Sequence, residues 1–411
     1  MKYSGIGVVK YMKKEAQFIK SNEWTYRKKW NQYNSYKLLA HVERWKRIVR
    51  GKVIPAPALI TVDPSNVCDL NCAWCNAGYI RQYHHRMLSE KTLYDLADFL
   101  PRWGVNSEYM PGVQAVCVAG GGEPLLNHAT SGFIERLAQN RIEIGVVTNG
   151  THIDHCLKAL SCCTWVGVSV DAGTERTFNK LKGLPEGAKI FSKIVKNISA
   201  LVDYSHLHDS QLGKPHPSYG VSYKYLLYKD NVQEIYEAAK LAKSLGCTSI
   251  HFRPAGTTWN NLGTGKEINF TAEEIEIFKE QISRAQELDD DSFGVFGITH
   301  KFNDALGIDN CFEKCYAVFM TAVVEPPQDA ESMDDAFTLG LCCDRRGDTK
   351  LELLHDSLDV EEIEKVWGSE RHWQIFDDID VQTQCPRCTY QPHNQIYQSV
   401  IMDDSMTYKF I

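Results

Sequence analysis

The chain has 411 residues, with 45 Lys and Arg against 52 Asp and Glu and a net charge of −7. That length exceeds what one hydrophobic core usually serves, so more than one domain is expected. No run of 18 apolar residues occurs and the first residues lack an apolar stretch long enough for a signal peptide, so neither a membrane span nor secretion is expected and a cytoplasmic protein is.

The charge is uneven. Residues 1–52 carry 14 Lys and Arg against three Glu, which leaves the remainder acidic. This arm is also aromatic, with Trp24, Tyr26, Trp30, Tyr33, Tyr36 and Trp45. Residues 1–57 are expected to form a helical extension that packs its rings on the body and solvates its charges. Nucleic-acid binding by the basic face is the competing reading, and the acidic remainder argues against it. Pro55 and Pro57 end the arm. From there β-rich runs alternate with amphipathic helical stretches. Strands are predicted at 58–62, 113–119, 143–148, 165–170, 219–227 and 249–253. Helices are predicted at 89–100, 131–139, 154–160, 186–203 and 232–245, with Ser89 as a cap and Gly246 as a stop. Six strands, each followed by a crossover, imply an α/β fold with a parallel sheet, a partial (β/α)6 barrel over 58–265. A polar helix near 271–288 makes 266–305 a helical linker. Residues 306–411 hold six cysteines and read as a smaller, metal-stapled domain.

Fourteen cysteines in a reducing compartment are expected to be thiols, and clustered ones there bind metal or do redox chemistry. Cys117, Cys156, Cys163 and Cys247 stand apart and read as small buried hydrophobes. Cys68, Cys72 and Cys75 form CxxxCxxC directly after the first strand, at the barrel end where chemistry gathers. A structural zinc site wants four ligands, and His84 and His85 stand well beyond Cys75. A cubane iron–sulfur cluster is held by thiolates, and three of them leave one iron open to a small molecule. Zinc, or three buried thiols in an ordinary α/β enzyme, is the alternative.

With Trp74 before its last cysteine, this run resembles the radical S-adenosylmethionine (SAM) superfamily. The stretch from Ala119 through Gly120, Gly121, Gly122 and Glu123 to Pro124 follows the second strand and is similar to the family's GGEP motif. Thr148-Asn149-Gly150 ends the third strand as the family's TNG does, and Ser169 and Asp171 end the fourth, where the family places polar contacts. The resemblance covers about 58–255. It implies a [4Fe–4S] cluster on Cys68, Cys72 and Cys75 with SAM on the open iron. It also implies cofactor contacts from Trp74, Gly121, Gly122, Glu123, Pro124, Asn149, Ser169 and Asp171, with Glu123 and nearby backbone holding the SAM amino group. The implied reaction is reductive cleavage of SAM to a 5′-deoxyadenosyl radical that abstracts a substrate hydrogen.

The C-terminal cysteines are Cys311, Cys315, Cys342, Cys343, Cys385 and Cys388. LCCDRRGD at 341–348, IEKVWGSE at 363–370 and then Cys385-Pro-Arg-Cys388 resemble that family's auxiliary-cluster extension, SPASM in its full form and twitch in its short form. The full form has seven cysteines. Six, two of them adjacent, imply one auxiliary [4Fe–4S] cluster on Cys315, one of Cys342 and Cys343, Cys385 and Cys388, with Cys311 spare. A zinc ribbon on the same four is the alternative.

The expected reaction is oxidation, epimerisation or rearrangement of a small polar metabolite such as a sugar or aminocyclitol, with electron transfer through the auxiliary cluster. Modification of a ribosomal peptide or protein is the second reading, and an RNA-binding iron–sulfur protein the third. Tyr223, Lys224, Tyr225, His251 and Arg253 are candidate pocket residues, the two tyrosines on the face opposite Lys224. Cys247 and Cys311 are candidate hydrogen donors should the reaction be an epimerisation. The expected partners are a small-molecule or peptide substrate and a flavodoxin- or ferredoxin-type reductant, with no membrane and no nucleic acid.

Overall fold

The computed structural model describes residues 35–83, 85–104, 112–212, 220–298, 311–329, 331–386 and 388–402. Most of the basic arm, including Trp24, Tyr26, Trp30 and Tyr33, lies outside the described residues. What is described of it is a 3-10 turn, Ser35–His41, and one α turn, Val42–Trp45. Among the described residues no helix is long and apolar enough to cross a membrane.

The strands are β1 Leu59–Val62, β2 Ala115–Val118, β3 Glu143–Thr148, β4 Trp165–Ser169, β5 Gly220–Leu227, β6 Ser249–Pro254, β7 Gly294–Gly297, β8 Val323–Glu325, β9 Phe337–Gly340 and β10 Glu352–Ser357. They form one sheet in the order β10-β9-β8-β1-β2-β3-β4-β5-β6-β7. Strands β1 to β7 run parallel in chain order. All six expected strands are present, in an α/β partial barrel. The sheet is larger than expected in two ways. Strand β7 falls inside the stretch read as a helical linker; Gly-Val-Phe-Gly is too short to show an alternating pattern. The linker's polar helix is Ala272–Gln286, capped by Thr271 and Glu274 in reciprocal bonds. Strand β8 pairs parallel with β1, and β9 and β10 extend that edge antiparallel. The sheet therefore continues through both expected boundaries, 265 and 306. The C-terminal region is an addition to the barrel's open edge.

Alternation along each strand separates two environments. Ile60, Val62, Val116, Val118, Ile144, Val146, Val166, Val168, Ile250 and Phe252 are all buried beneath the crossover helices. Those helices include Glu90–Phe99, Thr130–Gln139, Ile190–Leu212 and Ile235–Ser244. Tyr223 and Tyr225 share this outer face, their hydroxyls donating to the carbonyls of Ala172 at 2.5 Å and Asn231 at 2.7 Å. The inner face is small or polar, with Thr61, Cys117, Gly145, Gly167, Lys224 and His251. Its glycines make room: a Cβ on Gly145 would lie 2.2 Å from the Trp165 ring, and one on Gly167 2.6 Å from Lys224 Cε.

The C-terminal region has an aromatic core of its own. His372 packs on Phe319 and Trp367, with ring centroids 4.3 and 4.6 Å apart. Trp367 donates to the Pro55 carbonyl at 3.0 Å and meets Trp103 edge-on, which fastens this region to both the arm and the barrel. His372 Nδ1 accepts from Gly368 N at 3.0 Å, which leaves Nε2 to donate to the Val318 carbonyl at 3.1 Å. Burial pushes its pKa down to about 3. Between pH 6.5 and 3 the unfolded chain therefore binds a proton at this residue that the folded chain refuses. The stability tied to His372 is complete above pH 6.5 and falls with pH below it, by up to ~1.4 kcal/mol per pH unit. Urea unfolding from pH 7 to 4 is expected to show a shallower acid loss for His372→Gln than for the natural chain.

Candidate functional site

The three-cysteine loop leaves β1 and is held by its neighbours' backbones. Gly122 N donates to Ser65 O and Glu123 N to Val67 O, each at 2.8 Å; Asn71 N donates to Lys182 O at 3.0 Å and Ala73 N to Leu181 O at 2.9 Å. A Cβ on Gly122 would sit 2.1 Å from the Val67 carbonyl oxygen, and one on Gly121 2.4 Å from Asn66 Oδ1. The glycine run is thus required by the approach of one loop to another. Pro124 is buried at the start of the 3-10 turn Pro124–Leu126 and does not border the cavity described below.

Glu123 is 2% exposed. Its Oε1 accepts from Thr148 Oγ1 at 2.5 Å and Leu125 N at 3.1 Å, and its Oε2 from Asn149 N at 2.6 Å. Burial pushes this carboxyl up to about 7, against those three donors. Asn149 Nδ2 in turn donates to Asp69 Oδ1 at 2.7 Å and reaches Cys68 Sγ at 3.9 Å. The motifs after β2 and β3 and the cysteine loop therefore form one hydrogen-bonded unit. Asp171 sits at φ +63° after β4. Its Oδ1 accepts from Leu226 N at 2.6 Å and its Oδ2 from Lys182 Nζ, so both oxygens are engaged within the chain. Lys182 is buried; it also donates to Ser169 O at 3.1 Å and lies 5.4 Å from the Trp74 ring centroid. Burial opposes its charge, yet Asp171 and Cys72 hold its pKa above the ordinary lysine value.

These groups border a cavity of about 400 Å³. Of the residues singled out from sequence, Cys68, Cys72, Trp74, Cys75, Gly121, Gly122, Glu123, Asn149, Ser169 and Asp171 line it, with Lys224, Tyr225, His251 and Arg253. Arg81, Trp165, Lys182 and Arg346 line it as well and were not anticipated. Lys182 carried no signal, because it simply closes the helix Glu175–Leu181. Arg346 stood in the LCCDRRGD stretch, but only the fold brings it here. Its guanidinium pairs with the fully buried Asp63 at the end of β1 and donates to the Cys343 carbonyl. Burial pushes the Cys68 thiol up to about 11 and raises Cys72 also. A sulfur-bound cation would take the place of those protons.

The second cysteine set lies on the far side of the Arg346 loop. Cys342 is within electrostatic reach of Cys315 and Cys388, and Cys388 of Cys315 and Cys385. Asn394 Nδ2 reaches Cys315 Sγ at 3.9 Å. Cys343 turns away, its Sγ 3.6 Å from the Tyr390 hydroxyl and near Cys117, Asp63 and Arg346. Cys311 is exposed, and Cys247 is buried without bordering the cavity. A tetrahedral zinc with bonds of about 2.3 Å would draw its sulfurs to about 3.8 Å from one another. Among the described residues, no three sulfurs of either set lie within 4.8 Å of one another.

Residues 62–208 match the family model of the radical SAM superfamily. The chain carries a radical SAM domain. The class implies a [4Fe–4S] cluster and SAM as cofactors, and the donor sets above suit such clusters. Solved structures of similar fold include SuiB of Streptococcus suis bound to its precursor peptide SuiA, 14% identical with TM-score 0.55, which covers 93% of this chain and 83% of that one. SuiB bound to S-adenosylmethionine is 13% identical with TM-score 0.56, over 94% and 84%. The structure of anSMEcpe with AdoMet and the Cp18Cys peptide is 16% identical with TM-score 0.52, over 82% and 88%. No curated protein matches the chain. In this radical SAM domain Gly122→Ala is expected to cost about 1–3 kcal/mol, since the new methyl meets backbone and not a side chain that can swing aside. Chemical denaturation of the variant would measure it.

Proposed function

We propose that Cys68, Cys72 and Cys75 hold the radical SAM cluster and that SAM occupies the adjoining cavity. The observation that supports this most is the placement of three half-buried thiols and the Gly120–Glu123 loop along the wall of one cavity. When bound, the cluster and SAM supply one-electron cleavage to a 5′-deoxyadenosyl radical, and hydrogen abstraction from substrate follows. The chain's own residues position and balance charge. Glu123 fixes the end of β3 against the glycine loop, and Asn149 fixes Cys68. Asp171 holds Lys182, whose charge beside Cys72 offsets that of thiolates. Trp74 closes the apolar side of the cavity.

A second [4Fe–4S] cluster is assigned to Cys315, Cys342, Cys385 and Cys388, with Cys343 left out because its sulfur faces Tyr390. Residues 58–298 then act as the barrel unit and 311–402 as the auxiliary unit on its edge. A peptide or protein substrate is the better-supported class, because SuiB and anSMEcpe, which share the fold, have each been solved with a bound peptide. A flavodoxin- or ferredoxin-type protein would supply the electron.

Iron analysis of anaerobically purified protein tests the assignments. About eight irons per chain are expected, falling to about four in Cys68→Ala or in Cys342→Ala and unchanged in Cys343→Ala. Dithionite and SAM should yield 5′-deoxyadenosine from the natural chain and none from Cys68→Ala. Its absence from a fully iron-loaded protein would overturn the reading.

A further inference from the structure

Two cavities meet at the three thiols. One is the cavity described above; the other, of about 430 Å³, lies against Asp69, Asn71, His85 and Gly183 on the outer side of the loop. Six residues border both: Cys68, Leu70, Cys72, Cys75, Arg81 and Lys182. A group held by the thiols therefore has two cations for neighbours. Lys182 is answered by Asp171. Arg81 is placed differently. It sits on the helix Gly78–Tyr83, which begins three residues after Cys75, and its side chain folds back across the loop so that Nη1 donates to Leu70 O at 2.5 Å. Leu70 stands between Cys68 and Cys72 in the chain, so this bond fixes the guanidinium beside the loop that carries both. Arg81 Nε is buried and meets no acceptor, and no carboxylate pairs with the side chain among the described residues. A buried donor without an acceptor is costly, and a bound group that completes it removes the cost. The charge of Arg81 also lowers the Cys68 and Cys72 thiols, against the burial that raises them.

We infer that Arg81 sets the reduction potential of the cluster on Cys68, Cys72 and Cys75, through the charge of its guanidinium and its free Nε–H. The inference rests on the reading of these cysteines as the cluster site. A thiolate-bound cluster is anionic, and it gains one more negative charge when an electron arrives from the reductant. A fixed cation beside it favours the reduced state, and so does a hydrogen-bond donor to its sulfurs. Lys182 contributes less, because Asp171 neutralises most of its charge. Arg81 thus makes the entry of the electron easier without touching the substrate.

The test is a potentiometric titration of the full, anaerobically purified chain with its clusters, followed by electron paramagnetic resonance. Cys342→Ala, titrated alongside, isolates the signal of the first cluster. Arg81→Gln is expected to move the reduction equilibrium about tenfold toward the oxidised form, which is about 59 mV lower for one electron. Arg81→Lys, which keeps the charge and loses the fork of donors, is expected to recover about half of that shift. Iron content should be unchanged in both, and SAM affinity by equilibrium dialysis should stay within about threefold. An unshifted potential in iron-loaded Arg81→Gln overturns the inference, and a loss of SAM affinity beside it would give Arg81 to the SAM carboxylate. Should the glutamine variant fail to load iron, the natural chain carrying isotope-labelled arginine decides. Pulsed resonance of its reduced cluster, without SAM, should show a coupling to arginine nitrogen that Arg81→Lys abolishes; no coupling, or one that survives the substitution, overturns the inference. The two readings fail separately. Iron that Cys68→Ala does not lower sinks the cluster assignment, whereas a cluster lost with Cys68 and indifferent to Arg81 sinks the inference alone.

Discussion

Glu123 is a carboxylate withdrawn from water and answered by three donors from two strand ends. The rest of the site depends on it. Removing such a group from solvent is costly unless its hydrogen bonds are replaced, so the loop after β2 and the end of β3 can adopt few relative positions. Asn149 passes that constraint to Asp69 and Cys68, and the glycines at 121 and 122 let the cysteine loop close onto the same unit. A loop of three thiols is flexible by itself. Here it is clamped by backbone bonds on both sides and by one buried acid beneath.

Two buried ion pairs extend this logic. Lys182 with Asp171 and Arg346 with Asp63 each lie almost wholly out of solvent. Such pairs add little net stability relative to apolar packing, because desolvation offsets their attraction. Their value lies in where they hold charge. Lys182 places a cation beside Cys72 and Trp74. Arg346 joins the end of β1, five residues before Cys68, to the loop that carries Cys342 and Cys343. Glu325 on β8 stands close to the same pair, and burial pushes its carboxyl up to about 8. The wall between the two cysteine sets is thus a dense array of charge, with Cys117 and Cys343 within it.

The addition of β8 to the edge of β1 explains this closeness. Had the C-terminal region been a separate body on a linker, the two cysteine sets would have no defined relation. Because it continues the sheet, the 341–348 stretch hangs over the barrel mouth, where Tyr79 donates to the Arg346 carbonyl at 2.5 Å. Trp259 Nε1 in turn donates to the Tyr79 hydroxyl at 3.1 Å, which brings the segment after β6 into the same seam.

The six parallel strands, the three-cysteine loop and the motifs at successive strand ends were legible in the sequence, since each rests on local signals: alternation, turn residues and close spacing. The local pattern also placed Lys224 opposite Tyr223 and Tyr225, because side chains alternate along any strand. Strand β7 was hidden, since a four-residue strand that begins and ends on glycine carries no period. The roles of Glu123 and Asp171 were hidden too, because a motif names a carboxylate without naming its donors, and here donors come from the end of β3, from β5 and from the close of the helix Glu175–Leu181. The choice between Cys342 and Cys343 rests on side-chain direction around Tyr390, 47 residues further along the chain. The sequence by itself determined which thiols and carboxylates the protein has and the order in which the strands present them. Only the tertiary structure decided which of them meet, because register, burial and the pairing of β8 with β1 are set by contacts between residues far apart in the chain.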